Sequence, residues 1–206
     1  MRELLSIFPN DKYEIIRENP AAATISSLRK IEHILFQRTK SANSITSKLG
    51  EILYGILHPS HFHNLYYRKK TVNSIEFRCN NLRKKLSNLS KSKEIVLLSR
   101  SSGGRVSSLI ADELNISHVI CLGYPFKHPQ KLDEPERYLH LAEIKTPTLI
   151  IQGIHDPYGG SDIEAKYILS DKIEVYLADD DHDFTKNNEE LKKILSKIID
   201  WLQHQN

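Results

Sequence analysis

Ile95-Val96-Leu97-Leu98-Ser99-Arg100-Ser101-Ser102-Gly103-Gly104-Arg105-Val106 is the stretch whose reading decides the fold. Four apolar residues, 95–98, read as a short buried strand. Residues 105–114 read as a helix with Val106, Leu109, Ile110 and Leu114 on one side. Between them lies a tight turn, Ser99-Arg100-Ser101-Ser102-Gly103. A turn of this kind lifts the hydroxyl at its apex above the sheet. The helix that follows aims its N-terminal N–H groups at any anion forming there. Ser101, at the apex, is therefore a candidate nucleophile, set against the common alternative that a turn serine merely caps a helix.

Outward from this turn the pattern alternates. Strand candidates are residues 34–36 and 64–67 before it and 119–122, 148–151 and 173–177 after it. Helix candidates are 44–57, 73–89, 137–144, 161–169 and 188–202. The last places Leu191, Ile194, Leu195, Ile198 and Leu202 on one face. Short, continuously apolar strands alternating with helices predict an α/β fold: a mostly parallel sheet of about six strands flanked by helices. The 206 residues read as one domain with a reduced N-terminal part, in which residues 1–30 carry no clear pattern.

Three polar residues follow three of these strands in chain order. Ser101 follows 95–98, Asp156 follows 148–151 and His182 follows 173–177. Ligand sites in parallel sheets lie at the carboxyl ends of strands, where all three fall. A serine hydroxyl needs an imidazole to take its proton, and the imidazole needs a carboxylate to fix its tautomer. Singly, each has a plainer reading: Asp156 before Pro157 as a turn former, His182 in an acidic loop as a solvated side chain. Their order and strand-end placement, with Gly103 and Gly104 beside the serine, favour a catalytic set.

That ordered set, with Tyr124-Pro125-Phe126-Lys127-His128-Pro129, His140-Leu141 and Pro147-Thr148-Leu149-Ile150-Ile151-Gln152-Gly153-Ile154-His155-Asp156-Pro157-Tyr158-Gly159, resembles the α/β-hydrolase superfamily. The resemblance runs from about Ile95 to Phe184 and is nearest to a small, lid-poor branch related to dienelactone hydrolases. It implies an α/β-hydrolase fold, the triad Ser101, Asp156 and His182, and a small acyl substrate such as an ester or thioester. Two departures stand out. Ser99 occupies the usual first glycine of the serine turn. The segment Phe36-Gln37-Arg38-Thr39-Lys40 carries no glycine where the family has a His-Gly pair. One oxyanion donor would be the N–H of Ser102, the other that of Gln37 or Arg38. Losing one such donor costs about two to three powers of ten in rate. The alternative function is therefore a catalytically weak or inactive relative serving as an interaction module. Arg100 and Tyr124 are the candidate substrate contacts, and positive charge at Arg38, Lys40 and Arg100 would suit an anionic acyl group.

Composition bounds the rest. The chain is 39% hydrophobic and 27% charged, as in soluble globular proteins, and its formal charge is +3. No apolar run approaches the roughly 18 residues of a membrane span. The opening residues turn polar too soon for a signal peptide. Cys79 and Cys121 form no disulfide framework and no metal motif, so buried thiols in a cytoplasmic protein are expected. His58, His61 and His63 lack a nearby cysteine or carboxylate, and Pro59 breaks their helical spacing, so no metal is expected. No phosphate-binding glycine loop is present, and no cofactor is expected. Arg68, Lys69, Lys70, Arg78, Arg83, Lys84, Lys85, Lys91 and Lys93 face only Glu76 in one stretch. That reads as a solvated helix face or an anionic-partner surface. Without interleaved aromatics it argues against nucleic acid. The sequence gives no oligomeric state.

Overall fold

The computed structural model describes residues 74–87, 89, 94–114, 116–184 and 188–204. The strand candidates 34–36 and 64–67, the helix candidate 44–57, residues 1–30, Gln37, Arg38 and Lys40, and the three clustered histidines lie outside the described residues. The chain divides into two compact units, one taking in Arg83–Asn206 and the other Ile16–Leu82. Of the smaller unit the described part is the beginning of helix α1 (Ile75–Leu86), where the Ser74 hydroxyl accepts the Phe77 N–H at 3.1 Å.

The larger unit is built on four parallel strands in sequential order: β1 (Val96–Arg100), β2 (His118–Leu122), β3 (Thr148–Gly153) and β4 (Ile173–Ala178). Leu98 pairs with Ile120, Ile120 with Leu149, and Ile150 with Val175. The four match the expected strands, and the fold is the expected parallel sheet flanked by helices. Alternate residues go to opposite faces. Ile120, Leu122, Leu149 and Ile151 pack with Ile194, Ile198, Trp201 and Leu202 of helix α4 (Asn188–His204). Cys121 and Ile150 pack on the other side with Tyr124, Phe126, Leu141 and Ile163. Ile194 and Ile198 are wholly buried, each stabilising the fold by about 1.5–3 kcal/mol.

The strand after the apolar run is longer than its side chains suggest. Ser99 and Arg100 were expected in the turn but continue β1, pairing with Cys121 and Leu122. Helix α2 (Ser102–Ile110) starts three residues earlier than expected and ends before a separate 3-10 turn, Asp112–Leu114. Gly103 and Gly104 are thus in its first turn. A Cβ on Gly104 would lie 2.0 Å from the Cys121 sulfur, so glycine is what lets α2 lie against β2. The helix expected over 137–144 is two 3-10 turns, Pro135–Arg137 and Leu139–Ala142. Tyr138 between them leaves helical geometry at φ −132°, and the Tyr124 hydroxyl takes the Arg137 carbonyl at 2.7 Å. The helix expected over 161–169 shrinks to α3 (Ile163–Lys166), because Tyr167 turns extended and stacks on Phe126 at 4.8 Å. Cys79 and Cys121 are both buried and neither forms a disulfide. Among the described residues no helix is long and apolar enough to cross a membrane.

Candidate active site

Ser101 immediately follows β1. Its backbone N–H donates to the Leu122 carbonyl at 2.9 Å, continuing the ladder, and its own carbonyl accepts the Gly104 N–H at 2.8 Å. Caught between strand and helix, it sits at φ 51° and ψ −125°, a region that costs a non-glycine residue on the order of 1–3 kcal/mol. The hydroxyl makes no cap bond to its own helix. It lies instead 2.9 Å from His182 Nε2. A serine that merely ended a helix would have used its oxygen on the helix N–H groups.

The imidazole is held from the other side. His182 Nδ1 is 2.7 Å from Asp156 Oδ2. A carboxylate only accepts, so the proton of the neutral ring lies on Nδ1 and Nε2 is left to accept from Ser101. The Asp156 carboxylate is fully buried, and the His182 side chain is 18% exposed, which leaves the ring reachable from solvent. Asp156 also forms the turn its sequence suggests: Oδ1 accepts the Tyr158 N–H at 2.8 Å. Its Oδ2 takes a second donor, Gln152 Nε2, at 2.7 Å.

Three elements position His182. Phe184, buried in the core at φ 53°, pins the chain just beyond it. Gly123, at φ +64° after β2, lies under the ring; a Cβ there would approach Nδ1 to 3.1 Å. The Tyr158 ring packs against the imidazole with centroids 4.7 Å apart. The aspartates around it serve the loop: Asp180 Oδ1 accepts the Asp181 N–H at 2.8 Å, and Asp181 Oδ1 accepts the Asp183 N–H at 2.9 Å.

The remaining sequence candidates fall as follows. Arg100 reaches the histidine loop. Its Nη2 donates to the His182 carbonyl at 3.2 Å and pairs with the Asp183 carboxylate, so it braces the histidine loop. Tyr124 is 1% exposed and packs in the core against Phe126, which takes it away from any substrate surface. Burial raises the proton affinity of its phenol. Ser102 opens α2, next to Ser101. Gln37 and Arg38 lie outside the described residues. Ser99, in the glycine position, continues β1, and its hydroxyl donates to the Ile120 carbonyl at 3.0 Å. Among the described residues no group of three or more His, Cys, Asp or Glu side chains is placed to hold a metal ion.

The sequence reading missed Gln152 and Tyr158. Gln152 carried a signal: it is the polar residue closing an otherwise apolar strand run. Tyr158 carried none, since its position against the histidine depends on the fold of the turn.

Comparison with known proteins gives three findings. No curated protein matches the chain. Two of the solved structures that match are the serine hydrolase involved in carbazole degradation, the CarC enzyme, and a protein of the alpha/beta hydrolase superfamily from Xanthomonas campestris pv. campestris. The first is 13% identical, covers 63% of this chain and 71% of its own, with a TM-score of 0.49. The second is 14% identical, covers 88% and 91%, with a TM-score of 0.46. The alpha/beta hydrolase domain family matches residues 64–203, more than half of the sequence, and the chain belongs to that family.

Proposed function

We propose that the protein is a serine hydrolase that cleaves a small ester or thioester through Ser101, His182 and Asp156. The observation that carries this reading is the hydrogen-bonded line from Ser101 Oγ to His182 Nε2 (2.9 Å) and from His182 Nδ1 to Asp156 Oδ2 (2.7 Å). Membership of the hydrolase family supports it. Ser101 Oγ attacks the acyl carbon as His182 Nε2 takes its proton. Asp156 holds the ring in the Nδ1–H tautomer and stabilises the transient imidazolium. His182 then gives the proton to the leaving alcohol or thiol. Water, deprotonated by the same nitrogen, releases the acid and restores Ser101. The Ser102 N–H at the start of α2 would bind the oxyanion, helped by the positive end of the helix. The buried thiols, with no disulfide, support a reducing, cytoplasmic location.

The test is covalent labelling by a fluorophosphonate probe. Wild-type protein is expected to label at Ser101, and Ser101→Ala to remain unlabelled. Wild-type protein that stays unlabelled, under conditions that label a control hydrolase, would overturn the reading in favour of a catalytically silent interaction module.

A further inference from the structure

The Gln152 side chain has no exposure to solvent and stands next to the end of β3, four residues before Asp156. Its Nε2 has two partners, Asp156 Oδ2 at 2.7 Å and the Gly159 carbonyl at 2.6 Å. Both partners are acceptors, which fixes the amide orientation: nitrogen toward the turn, oxygen away. The Oε1 so displaced is buried without a hydrogen-bond partner among the described residues. An orphaned carbonyl lowers stability, and an apolar side chain of similar length would fill the same space without that loss. The amide is thus poorly explained as packing and well explained by what its two N–H groups hold.

We infer that Gln152 is a positioning residue of the reaction, acting through Asp156. This rests on the hydrolase reading above. One N–H ties the carboxylate oxygen that also faces His182. The other ties Gly159, at the far end of the Asp156 turn, where the Gly159 N–H returns to the Asp156 carbonyl at 3.2 Å. Asp156 is then held at both oxygens: Tyr158 N–H on Oδ1, and Gln152 and His182 on Oδ2. Buried carboxylates keep their charge only with such donors. The Gln152 bond both supports the charged form and sets the direction in which Oδ2 meets His182 Nδ1.

The titratable groups facing Asp156 are His182, Tyr158 of its own turn and Cys121 of β2. Burial pushes the Cys121 thiol up to about 12, so it stays neutral through the working range. Asp180, Asp181, Asp183 and Arg100 surround the backbone on either side of His182.

The experiment measures the rate of Ser101 phosphonylation by a fluorophosphonate against pH for wild type, Gln152→Met and Gln152→Glu, with folding checked by circular dichroism. Gln152→Met keeps length and loses both donors. It is expected to label about tenfold to a hundredfold more slowly near neutrality, less than the roughly 10⁴-fold loss expected without the carboxylate charge. The sign follows from the donors. With fewer donors the charged form of the buried carboxylate is less well held, so the acid limb of the profile moves to higher pH and part of the rate returns in alkali. Gln152→Glu sets a second carboxyl against Oδ2 and moves the limb further. A loss equal at every pH, or no loss in a folded variant, overturns the inference while leaving Ser101 labelled. Absence of labelling in wild type overturns the hydrolase reading instead. If neither variant folds, NMR of the wild type decides. The Gln152 side-chain amide protons are expected to shift together with the His182 Nδ1 proton on titration, and independence of the two overturns the inference.

Discussion

The two ends of helix α2 each carry a serine against a histidine, and the contacts are nearly the same length. Ser101 Oγ lies 2.9 Å from His182 Nε2, and Ser108 Oγ lies 2.8 Å from His140 Nε2. Their surroundings differ in every respect that matters for proton transfer. Ser101 is strained at φ 51°, whereas Ser108 lies in regular helix and is 6% exposed. His182 has a buried carboxylate behind its other nitrogen. His140 is pushed down to about 4, first by burial and then by the Arg105 guanidinium. An imidazole so placed resists taking a proton from any hydroxyl. A serine–histidine distance alone therefore says little, and the carboxylate, the strain and the access to solvent say much.

The largest expected effect breaks the comparison outright. Ser101→Ala abolishes fluorophosphonate labelling, while Ser108→Ala keeps it to within a few-fold. Equal losses in two folded variants would show that the two contacts are not chemically distinct. Next in size is Asp156→Asn, which keeps the shape but offers His182 an amide in place of a carboxylate. A drop of about 10⁴-fold in labelling or turnover is expected. Retention of more than a tenth of the rate would remove Asp156 from the mechanism.

The difference between the two serines was only partly legible in the sequence. Strand order and the apolar runs pointed to Ser101, Asp156 and His182, and these three do meet in space. The strands were readable because residues 119–122 and 149–151 are continuously apolar and buried on both faces. Ser99 and Arg100 were not readable as strand, because their membership rests on backbone pairing with Cys121 and Leu122. The start of α2 was hidden by Gly103 and Gly104, which look like loop. Yet Gly104 is there to admit the Cys121 sulfur. Where Arg100 and Tyr124 point was not legible for one reason: whether a side chain faces solvent, core or a neighbouring loop is set by contacts distant in sequence. Arg100 meets Asp183, and Tyr124 meets Phe126 and the Arg137 carbonyl.

A smaller effect concerns stability. His140 is held below its ordinary value in the folded state, so the unfolded chain binds a proton that the folded chain refuses between about pH 6.5 and about 4. Stability contributed by the neutral ring is present above pH 6.5 and is lost as pH falls through that window. With its remaining exposure allowed for, the loss is about 2 kcal/mol. Burial acts on His118 in the same direction, and wild type and a His140→Gln variant share that contribution. Urea denaturation at pH 7 and pH 4.5 is expected to show a steeper loss in wild type than in His140→Gln. Parallel losses would mean that the Ser108 pair does not sense pH.

The smallest effect sharpens what the two arginines do. Arg105 lies near His140 and opposes its protonation, whereas the Arg100 charge is taken up by Asp183 and its guanidinium grips the His182 carbonyl. Arg100 thus acts on where His182 sits, through an ion pair whose side chains are 39% and 68% exposed. Pairs this exposed are worth about 0–1 kcal/mol and weaken with salt. Arg100→Met is accordingly expected to slow labelling by a factor of about two to five. The slowing should appear at low ionic strength and shrink toward wild type as salt rises, because salt already loosens the wild-type brace. A loss of a hundredfold, or one insensitive to salt, would make Arg100 a substrate contact, as its place beside Ser101 in the sequence suggests.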